Sequence, residues 1–158
     1  MTDDPRAPRL RDLHETDLAW MAEVERELFG PSAWSESLIR EDFRYGARRY
    51  RGVWLGEERV AYAVYGFDGD AFSLMNLAVV PAHRREGIAR LVLEDLLDEA
   101  RSLDVAEVWL EVAVDNLGAL ALYRSFGFED VRIRKRYYQP EGIDALVMRR
   151  PMRRAAGF

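Results

Sequence analysis

Residues 50 to 80 carry three apolar segments whose separations are too short for any crossover. Tyr50 to Leu55 stops at Gly56-Glu57-Glu58, Val60 to Phe67 stops at Asp68-Gly69-Asp70, and Ala71 to Val80 stops at Pro81. Parallel neighbours need a connection of a dozen or more residues, so these segments must pair as antiparallel hairpins. A long helix follows. Ile88, Leu91, Val92, Leu96, Ala100 and Leu103 recur at helical spacing, with Arg90, Glu94, Asp98 and Glu99 on the other side.

The flanks extend this pattern. Leu10 to Leu13 reads as a short strand, and Thr16 or Asp17 can cap a helix running to about Phe29 with Leu18, Met21, Val24 and Leu28 on one face. Gly30-Pro31-Ser32-Ala33 breaks it, Ser35 can cap a shorter helix, and Gly46 ends that one. After the long helix come a strand at Val108 to Val114, a short helix at Leu117 to Phe126 stopped by Gly127, and strands at Phe128 to Tyr138 and Ala145 to Arg149. The expected fold is mixed α/β, a mostly antiparallel sheet flanked by helices. The 158 residues suit one domain over 1–152, with a basic tail over 153–158 that holds Arg153 and Arg154.

Composition removes several kinds of chemistry. The absence of cysteine excludes disulfides, thiol nucleophiles and cysteine-based zinc sites. His14 and His83 are the only histidines, so no His-rich metal centre is expected and no metal is called for. The formal charge of −5 gives no DNA-binding footprint and mildly favours a basic partner. No stretch approaches the roughly 20 apolar residues of a membrane helix, and Met1 to Arg11 lacks a signal-like apolar run. A soluble cytoplasmic protein, monomer or weak dimer, is the expectation.

Pro81 stops a strand, and Arg84-Arg85-Glu86-Gly87-Ile88-Ala89 leads directly into the long helix. A helix start carries unpaired N–H groups and partial positive charge, which suits phosphate. Glycine at 87 permits close backbone approach, Ala89 keeps the next turn small, and Arg84 and Arg85 add charge. Gly87 alone fits an ordinary strand-to-helix turn better than a binding loop. The segment is neither a P-loop nor a dinucleotide fingerprint, because the required glycines are missing.

Glu111 places a carboxylate in the apolar strand Trp109-Leu110-Glu111-Val112. Pointing inward it would need a partner or a task; pointing outward it would be solvated. Asn116 can cap the short helix that follows. Tyr123, two turns further, reads by itself as a core tyrosine.

The order of strand, Arg-x-x-Gly-x-Ala, long helix, strand and short helix ending in Tyr-x-x-x-Gly-Phe resembles the GNAT acetyltransferase superfamily, over about Leu10 to Met152. Trp-Leu-Glu-Val, then Asn116, then Ala-Leu-Tyr-Arg-Ser-Phe-Gly-Phe, is similar to the RimI-type ribosomal protein alanine N-acetyltransferases. The resemblance implies that the backbone of Arg84, Arg85, Glu86, Gly87, Ile88 and Ala89 holds the pyrophosphate of acetyl-CoA. It places the pantetheine arm and acetyl carbonyl on Leu77, Ala78 and Val79, with Val79 beside the developing oxyanion. By the same resemblance Glu111 is the general base, Asn116 contacts the coenzyme and Tyr123 is the general acid.

For the acceptor, Phe29 to Trp34-Ser35 is similar to a substrate-facing loop of that subgroup, lengthened here by Gly30-Pro31-Ser32-Ala33, and Tyr137-Tyr138 to a hairpin covering the peptide. Both segments also suit ordinary packing under a loop. The implied acceptor is a basic ribosomal protein, at the N-terminal alanine of small-subunit protein eighteen. Lysine side chains or a small amine remain alternatives, as does a non-catalytic acyl-CoA-sensing module. The chain departs from the subgroup at Ala113-Val114-Asp115-Asn116, where Arg-x-Ser-Asn is usual; the lost arginine and added Asp115 alter the charge near the acceptor. Gly118 has no functional reason. Arg132, Arg134, Lys135 and Arg136, and Arg149 and Arg150, read as solvated faces, and His14 and His83 as surface residues.

Overall fold

The structure, a computed structural model, describes residues 6–152. The basic tail at 153–158 and residues 1–5 of the amino-terminal segment lie outside the described residues. Seven strands form one sheet in the order β1-β2-β3-β4-β5-β7-β6. In chain order the elements are β1 (Arg9–Asp12), α1 (Leu18–Phe29), α2 (Glu36–Tyr45), β2 (Arg48–Leu55), β3 (Glu58–Asp68), β4 (Ala71–Val79), α3 (Ile88–Ser102), β5 (Glu107–Ala113), α4 (Leu117–Ser125), β6 (Glu129–Tyr138) and β7 (Ile143–Pro151). The mixed, mostly antiparallel architecture matches the expectation. β4 and β5 are parallel neighbours, with Ser73 opposite Trp109. No helix among the described residues is long and apolar enough to cross a membrane.

The chain divides into two compact units, Met1–Tyr65 with Asn76–Val92, and Gly66–Met75 with Leu93–Phe158. In the first, α1 buries Leu18, Met21, Ala22 and Val24. Asp17 stands at its N-cap position but makes no side-chain cap hydrogen bond. Its carboxylate instead accepts the His14 N–H and the Arg59 Nε–H, each at 2.8 Å. A buried carboxylate needs such partners, and two donors outside the helix satisfy it better than one amide inside. α2 follows the sequence closely: the Ser35 hydroxyl accepts the Leu38 N–H at 3.1 Å, and Gly46 ends the helix at φ 78°. β3 is buried from Val60 through Tyr65, which gives this unit its core.

In the second unit, β5 alternates. Val108, Leu110 and Val112 are buried, while Trp109, Glu111 and Ala113 share the other face. β7 pairs antiparallel with β5, Glu111 opposite Val147 and Ala113 opposite Ala145. β6 pairs with the far edge of β7, Arg134 opposite Ala145. α4 is capped by the Asn116 carboxamide, which accepts the Ala119 N–H at 3.2 Å. Gly127, at φ 89°, turns the chain so that Phe128 meets the Tyr123 ring edge-on at 5.9 Å. Leu103 lies past the end of α3 and is exposed, so the apolar series stops at Ala100.

Gly52 in β2 sits where no side chain fits. A Cβ there would lie 2.6 Å from both Leu13 Cδ2 and Trp54 Cζ3. The Trp54 ring is held under the Arg11 guanidinium, 4.4 Å from its centroid. Gly52→Ala is therefore expected to lower stability by about 1–3 kcal/mol through overpacking. Urea unfolding followed by tryptophan fluorescence checks this; an unchanged midpoint would mean that the ring moves aside freely.

Candidate active site

The turn before α3 has the geometry of an anion cradle. After β4, Pro81–His83 makes one 3-10 turn, and the Arg84 Nε–H donates to the Val79 carbonyl at 3.4 Å. Arg85 and Gly87 both take left-handed backbone, φ 65° and 80°. Gly87 is required by that φ rather than by space, since an added Cβ would meet nothing within 4 Å. The helix's hydrogen bonding opens with Leu91 N–H to Gly87 O at 3.2 Å. The amides of Gly87, Ile88 and Ala89 therefore have no acceptor within the helix, and they carry the positive end of its dipole. Arg84, Arg85 and Glu86 are exposed, so an anion can reach this end from solvent. These features fit the pyrophosphate of a coenzyme A ester. Just upstream on β4, Ala78 is buried while Leu77 and Val79 are half-buried.

His83 has partners that the sequence does not reveal. Its ring is largely covered, 20% exposed, and both nitrogens meet carboxylates: Nδ1 lies 3.0 Å from Glu86 and Nε2 lies 3.3 Å from Glu58. The hydrogen bond to Glu86 is the main cause of its raised pKa, with Glu58 adding to it. His83 thus ties the loop to the start of β3.

Trp34 is half-buried, and its backbone N–H donates to Glu25 Oε2 at 3.0 Å. Glu25 is a residue that pattern reading passed over. It lies on α1, is 1% exposed, and also accepts from the Tyr62 hydroxyl at 2.5 Å and from the Asn76 carboxamide. A Glu between Val24 and Arg26 on a helix carries no sequence signal of burial. The surrounding charge of Glu25, after burial itself, raises the Tyr62 pKa and keeps that phenol protonated.

In the second unit Glu111 is half-buried, 28% exposed at its side chain, and it is not solvated alone. Arg134 Nη1 lies 2.6 Å from Glu111 Oε1. The same guanidinium stacks on the Tyr137 ring, 4.5 Å from its centroid. Burial is the first cause of the raised Tyr137 pKa, and the neighbouring Glu111 carboxylate adds to it. Arg134 is exposed, as the sequence suggested, but it is paired rather than solvated alone. The cause is the row Ala113–Ala145–Arg134 across three strands: two methyl groups leave room for a long side chain to cross β7 and reach Glu111.

Tyr137 and Tyr138 meet edge-on at 5.0 Å. Their hairpin is braced by Asp144, which accepts the Arg136 N–H at 2.8 Å and whose pKa is lowered chiefly by that bond. Burial raises the Tyr138 pKa, and Glu111, Tyr137 and Tyr123 add to it, in that order. These four side chains therefore share one electrostatic neighbourhood. Burial pushes Tyr123 up to about 12, and its hydroxyl makes no hydrogen bond among the described residues. Asn116 is exposed, and its carboxamide oxygen serves the α4 cap. Asp115 is exposed as well.

Comparison with known proteins bears on both units. The model of the acetyltransferase (GNAT) family matches residues 10–128. The chain is 37% identical over 155 residues to the N-alpha-acetyltransferase RimI of Mycobacterium tuberculosis, covering 95% of this chain and 96% of that one. It is 36% identical to the ribosomal protein bS18-alanine N-acetyltransferase of Salmonella typhimurium, over 89% of this chain and 95% of that one. Among solved structures, the ribosomal-protein-S18-alanine N-acetyltransferase from Escherichia coli superposes with a TM-score of 0.83 at 31% identity, covering 96% of this chain and 97% of that one. Because the family model spans most of the chain and these relatives align along nearly all of it, the chain belongs to the acetyltransferase (GNAT) family.

Proposed function

We propose that this acetyl-CoA-dependent N-acetyltransferase acts on the α-amine of a protein N-terminus, with the N-terminal alanine of a bS18-type ribosomal protein as its acceptor. The observation that carries the reading is the cluster of Glu111, Arg134, Tyr137 and Tyr138, joined with the names of the aligned relatives. Acetyl-CoA supplies the acetyl group and a thiolate leaving group. The amides of Gly87, Ile88 and Ala89, with Arg84, Arg85 and the backbone of Glu86, hold the pyrophosphate. Leu77, Ala78 and Val79 hold the pantetheine arm along β4, and Asn116 contacts the coenzyme at the start of α4.

Glu111 takes the proton from the attacking amine, directly or through one water. A protein α-amine has a pKa near 8, so about a tenth is already neutral at pH 7 and a modest base suffices. Arg134 holds the carboxylate in one orientation, so the incoming amine meets a placed acceptor rather than a mobile side chain. Tyr137, Tyr138 and Trp34 contact the acceptor peptide. Tyr123 donates to the departing sulfur. Its hydroxyl is protonated at any neutral pH, yet full transfer to a thiolate of pKa about 8.5 runs uphill. The hydroxyl therefore acts mainly by hydrogen bonding as charge builds on sulfur.

A peptide library acetylated with labelled acetyl-CoA and read by mass spectrometry tests the acceptor. Product on α-amines of Ala-initiated peptides, and of Ser- or Met-initiated ones to a smaller degree, is expected; product confined to lysines would overturn the reading. Glu111→Gln is expected to lower kcat/KM about 10²-fold at pH 7, with acetyl-CoA affinity little changed. That deficit should narrow toward pH 9, where about nine tenths of an α-amine is neutral without help. A deficit that persists unchanged to pH 9 would point to a lysine acceptor, whose pKa near 10.4 keeps it charged. Tyr123→Phe is expected to slow turnover by roughly tenfold to a hundredfold rather than abolish it, because only a hydrogen bond is lost. Full activity in either variant would refute the assigned role.

A further inference from the structure

Glu25 is an ionisable group that the proposed chemistry does not use, and it is among the most deeply buried side chains of the molecule. An isolated carboxylate in that position would be strongly unfavourable. Its donors come from three separate places: the Tyr62 hydroxyl on β3 at 2.5 Å, the Asn76 carboxamide on β4, and the Trp34 N–H at 3.0 Å. Asn76 immediately precedes Leu77, and Trp34 ends the turn at 30–34.

Gly30–Ser32 is a single 3-10 turn entered through Gly30 at φ 52°. The Gly30 N–H reaches back to Arg26 O, and the Ala33 N–H closes on Gly30 O at 3.1 Å. The carboxylate of Glu25 ties the Trp34 backbone to Tyr62 on β3 and Asn76 on β4. Ser35 follows directly and caps α2, so the Trp34 backbone is held on one side by Glu25 and on the other by the helix start.

We propose that Glu25 is a positioning residue for the acceptor. Its carboxylate sets the 30–34 turn in one register against β3 and β4, and so sets how Trp34 presents itself to the acceptor chain. This rests on the reading of Trp34 as an acceptor-facing residue. A charge-assisted bond to backbone suits the task, because it restrains the main chain and leaves the indole free to touch substrate.

The test is steady-state kinetics with an alanine-initiated hexapeptide and acetyl-CoA, each varied in turn, alongside thermal unfolding. Glu25→Ala is expected to raise the peptide KM about tenfold, the loss of one charge-assisted hydrogen bond, with the acetyl-CoA KM within about twofold of wild type. Glu25→Gln should recover most of the peptide KM. Its carbonyl can take the Trp34 N–H while the Tyr62 hydroxyl and the Asn76 carboxamide turn to accept from its NH₂.

If Glu25→Ala does not fold, Trp34→Ala and Trp34→Pro give the answer without touching the carboxylate. Both lose the indole, and only proline also loses the N–H, so a further rise in peptide KM from alanine to proline is expected. Equal rises in both substrates' KM, or a lowered melting temperature with an unchanged peptide KM, would overturn the proposal. If the wild type proves to modify lysines, the N-terminal reading fails. The same measurements with a lysine-containing peptide then decide the role of Glu25 separately.

Discussion

The register of β5 on β7 decides what the second unit can do. Seven residue pairs, from Glu107 opposite Pro151 to Ala113 opposite Ala145, fix which face of β5 looks inward. A slip of one residue would turn Glu111 into the core and put Leu110 in its place. Because β7 then fixes β6, the same register brings Arg134 over two alanines to the carboxylate. The guanidinium at Glu111 comes here from a strand two places away, and the methyl group of Ala113 is part of what lets it through.

The turn before α3, where we propose that the coenzyme binds, rests on backbone conformation rather than on side chains. Left-handed geometry at Arg85 and Gly87 carries the chain out of its 3-10 turn and into α3. Arginine in that conformation is less comfortable than glycine, and its presence at 85 marks a turn held by its surroundings. His83, Glu86 and Glu58 supply part of that hold from the side.

Both buried carboxylates among the described residues of the first unit are paired with donors from elsewhere in the chain. Asp17 takes Arg59, and Glu25 takes Tyr62, Asn76 and Trp34. Such groups add little net stability over an apolar core, but they are intolerant of misplacement, since each lost donor leaves a desolvated partner. They therefore act as locators of the elements that they join.

The sequence by itself determined the order of elements, the helix caps at Ser35 and Asn116, the stops at Gly46 and Gly127, and the special turn at Gly87. These features depend on neighbours a few residues away, where periodicity and backbone preference act directly. It also determined the family, because the 84–89 segment and the Glu111–Tyr123 spacing are local patterns. Tertiary structure alone decided that Glu111 is paired, that Arg134 is its partner, that Glu25 and Asp17 are buried, and that His83 bridges two carboxylates. Those pairings join residues 23 positions apart for Arg134 and Glu111, and 51 apart for Asn76 and Glu25. A charged residue looks the same in sequence whether it faces water or a partner. What separates the two outcomes is strand register and packing, and both are set by contacts between elements rather than within them.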